Sequence, residues 1–194
     1  MSTITKPITV DEYDRMVEDG TIPEDGRVEL IEGQLVEKMT QGTKHTTAAE
    51  KCRRVIERLV MAGWHVRIER PVRIPERDSE PEPDLAVVRG DVDDYDDHHP
   101  GPADVALVVE VARSSLADDR ALAQTYGGGG IPVYWIVNVD ARQLEVYAHP
   151  VPGARAGGTY PPPTIMGETE SVALTIGGQL VGRIAVADLL PRRP

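Results

Sequence analysis

The chain has 194 residues, with 21 Lys and Arg against 32 Asp and Glu, a formal charge of −11 and a pI of about 4.9. That length suits one domain, and the acidic balance excludes a protein that coats long stretches of nucleic acid by neutralising phosphates, while leaving one local DNA-contacting cleft open. No apolar run approaches the ~20 residues that cross a bilayer, and a single cysteine, Cys52, excludes a disulfide framework or a Cys-based zinc site.

In chain order, Thr9-Val10-Asp11-Glu12 has the spacing of a capping box and predicts a short helix to about Glu18. Residues 27–31 and 34–37 flank Glu32-Gly33 as strand, tight turn and strand. From Thr43 to Met61 the apolar positions Ala48, Ala49, Cys52, Val55, Ile56, Leu59 and Val60 recur at helical spacing, with Ala62-Gly63 as the stop and Cys52 as a small buried hydrophobe. Trp64 to Ile68 reads as a strand, and Pro71 to Pro83 as an irregular, proline-punctuated stretch. Leu85–Val88 and Val105–Val109 are short continuous apolar runs, as buried strands should be, separated by an acidic loop over 90–103. A helix over Ala117–Tyr126 should stop at the four glycines 127–130. Strands follow at Val133–Val137 and Leu144–Tyr147, then a Pro/Gly-rich loop over 150–163. The tail alternates weakly from Val172 to Ile184 and ends in a turn near Leu189. With no Phe and 4% aromatics, the core should be aliphatic. The class is α/β or α+β with a mixed sheet. Residues 1–194 form one domain on this reading, with a core of about 9–148 and a loop-rich excursion over 150–163. The N-terminal stretch MSTITKPITVDEYDRM has no apolar segment of a secretory signal, so a cytoplasmic protein is expected.

One constellation carries chemistry. Glu80-Pro81-Glu82-Pro83-Asp84 leads into one apolar strand and Glu110 closes another, an expensive place for a carboxylate unless something cationic compensates it. If the strands pair antiparallel with Val88 facing Ala106, then Asp84 faces Glu110. Two carboxylates meeting there could hold Mg²⁺ or Mn²⁺, which activates water and neutralises phosphoryl charge. The alternative is that Asp84 caps a turn and Glu110 pairs with an arginine. Glu29 is a third acid within an apolar stretch. His45, near a helix start, reads as an exposed or capping residue first and a site residue second. The acidic run 91–99 lacks the Gly and Glu of a calcium-binding EF-hand loop. Arg67, Arg70, Arg73 and Arg77 either steer a phosphate backbone or pair with Glu69, Glu76 and Glu80. The glycine run lacks the Lys-Ser/Thr of a phosphate loop.

Four stretches, 27–33, 80–88, 107–112 and Tyr126 with 130–137, stand in order and together resemble the Uma family of putative restriction endonucleases, within the PD-(D/E)-x-K nuclease superfamily. The resemblance covers most of Thr9 to Tyr147. It implies a restriction-endonuclease-like mixed β-sheet flanked by helices, Mg²⁺- or Mn²⁺-dependent hydrolysis of DNA phosphodiesters, and a homodimer. By position it makes Asp84 and Glu110 the metal ligands and Glu29 the upstream acid that holds a water or a second ion.

The sequence departs from that family at its lysine, which usually stands on the helix after the second acid in a D-x-x-x-K-x-x-x-Y pattern. Here that position is Leu122, or Ala123 if one residue is deleted. Gln124 is the candidate stand-in, a hydrogen-bond donor without charge, while Arg113 or Arg120 could supply charge but make poor proton acceptors. Three readings follow: a metal-dependent endonuclease weakened by the loss, a catalytically impaired relative that binds DNA, metal or protein, or a non-nuclease module whose acidic residues are structural. Restoring a lysine at 122 or 123 should raise activity under the second.

Overall fold

A computed structural model describes residues 6–23, 27–151 and 158–193. Ten strands and four helices run in the order α1 (Val10–Glu18), β1 (Val28–Ile31), β2 (Gln34–Glu37), α2 (Thr43–Glu57), β3 (Trp64–Ile68), β4 (Leu85–Arg89), β5 (Val105–Ala112), α3 (Leu116–Gly129), β6 (Val133–Asn138), β7 (Gln143–Ala148), β8 (Thr164–Gly167), β9 (Ser171–Ile176), β10 (Gln179–Ala185) and α4 (Val186–Leu189) among the described residues. The main sheet has the order β3-β4-β5-β6-β7-β8, antiparallel except for β5 against β6. A parallel neighbour requires a crossover, and α3 supplies it. β5 is buried along all eight residues, which is why its sequence is a continuous apolar run broken only by Glu110. The mixed sheet flanked by helices is therefore as expected.

Local signals fix several elements. Thr9 caps α1 with the reciprocal Glu12 contact of a capping box. The β1–β2 hairpin turns through Glu32 and Gly33, both at positive φ, the geometry that matches strand twist in a two-residue turn. Arg77, buried in a 3₁₀ turn over Pro75–Arg77, donates to Glu32 at 2.9 Å, and Thr125 of α3 donates to the same carboxylate at 2.8 Å. These bonds fasten the hairpin to α3.

Four expectations need correction. The β4–β5 register holds from Leu85↔Val109 to Val87↔Leu107, but a bulge then pairs Val88 with Val105 rather than Ala106. The bulge lies at the far end, so the facing of Asp84 and Glu110 survives it. α2 ends at Glu57 with Arg58 as its C-cap, and the Leu59 amide closes the end in a tightened turn onto the Ile56 carbonyl three residues back. α3 does not stop at Tyr126 but runs through three glycines, and only Gly130, at φ +88°, is the cap. A Cβ on Gly127 would lie 2.8 Å from Tyr160, on Gly128 2.9 Å from Arg77, and on Gly129 2.3 Å from Ile74. The glycines let the helix pack close and do not end it. The core is also not purely aliphatic: Tyr126, Tyr134, Tyr147 and Tyr160 pack together on the α3 face, and each hydroxyl finds a buried partner. The opposite face buries Cys52, Ile56, Leu107, Trp135 and Leu174 beneath α2, α4 and the β9–β10 hairpin. Of the proline- and glycine-rich stretch 150–163, residues 152–157 lie outside the described residues; Val151 bridges Thr159.

Candidate active site

The β4–β5 register delivers two acids to one end of the sheet. The backbone amide of Asp84 donates to Glu110 Oε2 at 3.2 Å, and the amide of Val111 donates to Asp84 Oδ2 at 2.7 Å. Each carboxylate is thus held by the backbone beside the other. Both are nearly fully buried, and neither has an arginine partner in the hydrogen bonds and ion pairs described. They face a cavity of about 380 Å³ between the β1–β2 hairpin, the start of α2 and the start of α3.

Burial, then the charges of Asp84, Asp119 and Glu29, push Glu110 well above the usual carboxylate range. The buried Tyr126 hydroxyl donates to its other oxygen at 3.1 Å. Asp119, on the first turn of α3, also lines the cavity; burial pushes it up to about 6, with the Ser115 hydroxyl at 2.8 Å opposing and the Asp84 charge adding. Glu29 reaches the same cavity from β1, and burial pushes it up to about 7 despite the nearby Lys38. Carboxylates whose pKa values rise through burial and one another's charge mark a place where a cation is worth most.

Three residues join them that strand reasoning did not place. His45 lines the same cavity: its Nε2 lies 3.1 Å from Asp84 Oδ2, and its buried Nδ1 has no hydrogen-bond partner among the described residues. Burial opposes its protonation, but the Asp84 hydrogen bond and charge outweigh that and raise its pKa. Gln41 donates to Asp84 Oδ1 at 3.2 Å. Lys38 donates to Glu82 Oε2 at 2.8 Å and stands 3.4 Å from Glu29 Oε1. Burial pulls its ammonium down, but Glu82 and Glu29 more than offset this and leave it above the ordinary lysine value. A signal for Lys38 was available. With the turn fixed at Glu32-Gly33, Glu29 faces Val36, and Lys38 lies two residues further along the same face.

Gln124 is not brought to the site. It is exposed and absent from the cavity lining, whereas Leu122 lines it. The arginine run disperses: Arg73 pairs with Asp11 and Asp14, Arg77 with Glu32, and Arg67 lies over the Tyr95 ring. Among the described residues no group of three or more His, Cys, Asp and Glu side chains surrounds a common metal position. In donor type, Asp84 and Glu110 still fit a hard divalent cation: two oxygen ligands, backbone-held, in a surplus of negative charge.

A sequence profile described as Uma2, putative restriction endonuclease, matches residues 10–186. No curated protein sequence matches the chain. Among solved structures, a putative nuclease belonging to DUF820 from Anabaena variabilis is similar with a TM-score of 0.66 at 17% identity, over 94% of this chain and 97% of that one. At that identity the likeness shows the fold.

Proposed function

The chain belongs to the Uma2 family of putative restriction endonucleases, and we propose that it is a divalent-metal-dependent endonuclease that hydrolyses DNA phosphodiesters in the cavity floored by Asp84 and Glu110. The observation that carries this reading is the backbone-held meeting of those two buried carboxylates with no arginine between them. Alone they would repel a phosphate. Asp84 and Glu110 would hold Mg²⁺ or Mn²⁺, which supplies neutralisation of the phosphate and activation of water when bound.

The chain's own residues do the rest. His45 and Gln41 fix the Asp84 carboxylate through its two oxygens, and Tyr126 orients Glu110. Glu29, near half-ionised at neutral pH, accepts a proton from the attacking water. Arg113 lines the cavity with an exposed guanidinium and meets the DNA backbone at its mouth. A homodimer is part of this reading, and sedimentation equilibrium on the pure protein tests it. Leu122 in place of a lysine favours a second reading, a nuclease fold that binds DNA without cutting it.

Incubation of supercoiled plasmid with Mg²⁺ or Mn²⁺ tests the proposal. Nicked or linear product is expected from the wild type and none from Asp84→Ala or Glu110→Ala. Folded wild-type protein that leaves every DNA form intact with every divalent ion would overturn it.

A further inference from the structure

Among the residues lining the cavity, Lys38 is the one lysine, and Leu122 lines the same space from α3. We infer that Lys38 is a catalytic residue of this site, holding the attacking water beside Glu29 and offsetting charge that grows on the phosphate. This rests on the nuclease reading and deepens it: the ammonium that α3 lacks at Leu122 is delivered from the opposite wall, by the end of the β1–β2 hairpin.

The backbone makes that delivery precise. Lys38 lies one residue beyond β2, yet its amide donates to the Arg27 carbonyl at 2.9 Å, so the antiparallel ladder continues through it. The hairpin is itself fastened to α3 through Glu32, Arg77 and Thr125. Nζ is therefore placed by a strand tied to the helix rather than by a free loop. An ammonium has three hydrogens. One goes to Glu82 at 2.8 Å, a second points toward Glu29 at 3.4 Å, and the third is left for a water at the cavity.

In the step this supports, the water oxygen bonds to phosphorus and its proton passes to the Glu29 carboxylate. The bond from phosphorus to the 3′ oxygen breaks, and that oxygen takes a proton from solvent. The ammonium stays charged throughout and stabilises negative charge on the phosphoryl oxygens, the kind of preorganised help that is large in phosphoryl transfer.

Exchanging the lysine's position tests this. Wild type, Lys38→Met, Lys38→Arg, Leu122→Lys and the double variant Lys38→Met/Leu122→Lys are compared for plasmid cleavage in Mn²⁺, with thermal melting as the folding control. The expectation is a loss of about 10²–10³-fold in Lys38→Met and recovery to within about tenfold in the double variant. A purely structural lysine would not be replaceable from α3. Full activity in Lys38→Met overturns the inference and leaves the nuclease reading standing. An inert wild type in which Leu122→Lys alone creates cleavage overturns the inference and, with it, the reading of the wild type as an active nuclease. Loss in Lys38→Met with recovery in neither the double variant nor Lys38→Arg marks a structural role and overturns it as well. If neither wild type nor Leu122→Lys cuts, the nuclease reading falls and takes the inference with it.

Discussion

Replacing Gly127 by alanine sets helix propensity against packing. In an exposed helix interior the change should stabilise by about 1 kcal/mol, because alanine loses less backbone entropy. Gly127 is buried within α3, and the new Cβ would lie 2.8 Å from both Cδ2 and the backbone nitrogen of Tyr160 and 2.9 Å from the carbonyl carbon of Thr159. Carbon atoms prefer about 3.5–4.0 Å, so the segment must retreat by most of an ångström. Tyr160 cannot swing aside freely, since its hydroxyl donates to the Ile131 carbonyl at 2.6 Å. Overpacking of this kind costs about 1–3 kcal/mol, which exceeds the propensity gain. Gly127→Ala should therefore destabilise by up to about 2 kcal/mol in urea unfolding. Ala121→Gly, at an exposed α3 position, should cost about 1 kcal/mol and show that the helix does respond to propensity. A stabilised Gly127→Ala would refute the packing argument.

Two further predictions follow from buried titratable groups. Glu80 is buried, Oε2 accepts no hydrogen bond among the described residues, and burial followed by the Asp14 charge pushes its pKa from 4.5 up to about 7 against Arg73. The native state thus holds this proton more tightly than the unfolded chain, so the contribution is fully present below pH 4.5 and lost as pH rises through about 7. Glu80→Gln should match wild type in stability at pH 5 and gain on it by up to about 3 kcal/mol at pH 8; a difference constant with pH would exclude this. Cys52 is fully buried and burial pushes its thiol up to about 12, so an aromatic disulfide reagent should react with it only at the rate of unfolding. Rapid reaction in native buffer would contradict that.

Much of the fold was legible because it is local. Capping at Thr9, the positive-φ turn at Glu32-Gly33 and the continuous apolar run of β5 are each written within a few residues. The meeting of Asp84 and Glu110 was also reachable, since strand parity carries a register along the ladder until a bulge interrupts it, and the bulge here falls beyond Val87. What was not legible depended on distant partners. The glycines of α3 look like a stop until Ile74, Arg77 and Tyr160 are seen to need their space. Lys38 and His45 reach the acids from separate elements, far from Asp84 in the chain. Gln124 failed for a reason of helical phase: residues two apart do not share a face, and Asp118 and Asp119, four and three residues before Leu122, line the cavity with it.

Calorimetric titration of Mn²⁺ into the protein at pH 7 tests most directly whether Asp84 and Glu110 form one cation site. Binding should disappear in Asp84→Asn and in Glu110→Gln. In wild type it should release protons, seen as a heat that changes with the buffer's ionisation enthalpy, because burial and neighbouring acids raise the proton affinity of Glu110 and a bound cation lowers it again. No binding in the wild type, or binding that both substitutions leave intact, would contradict the account.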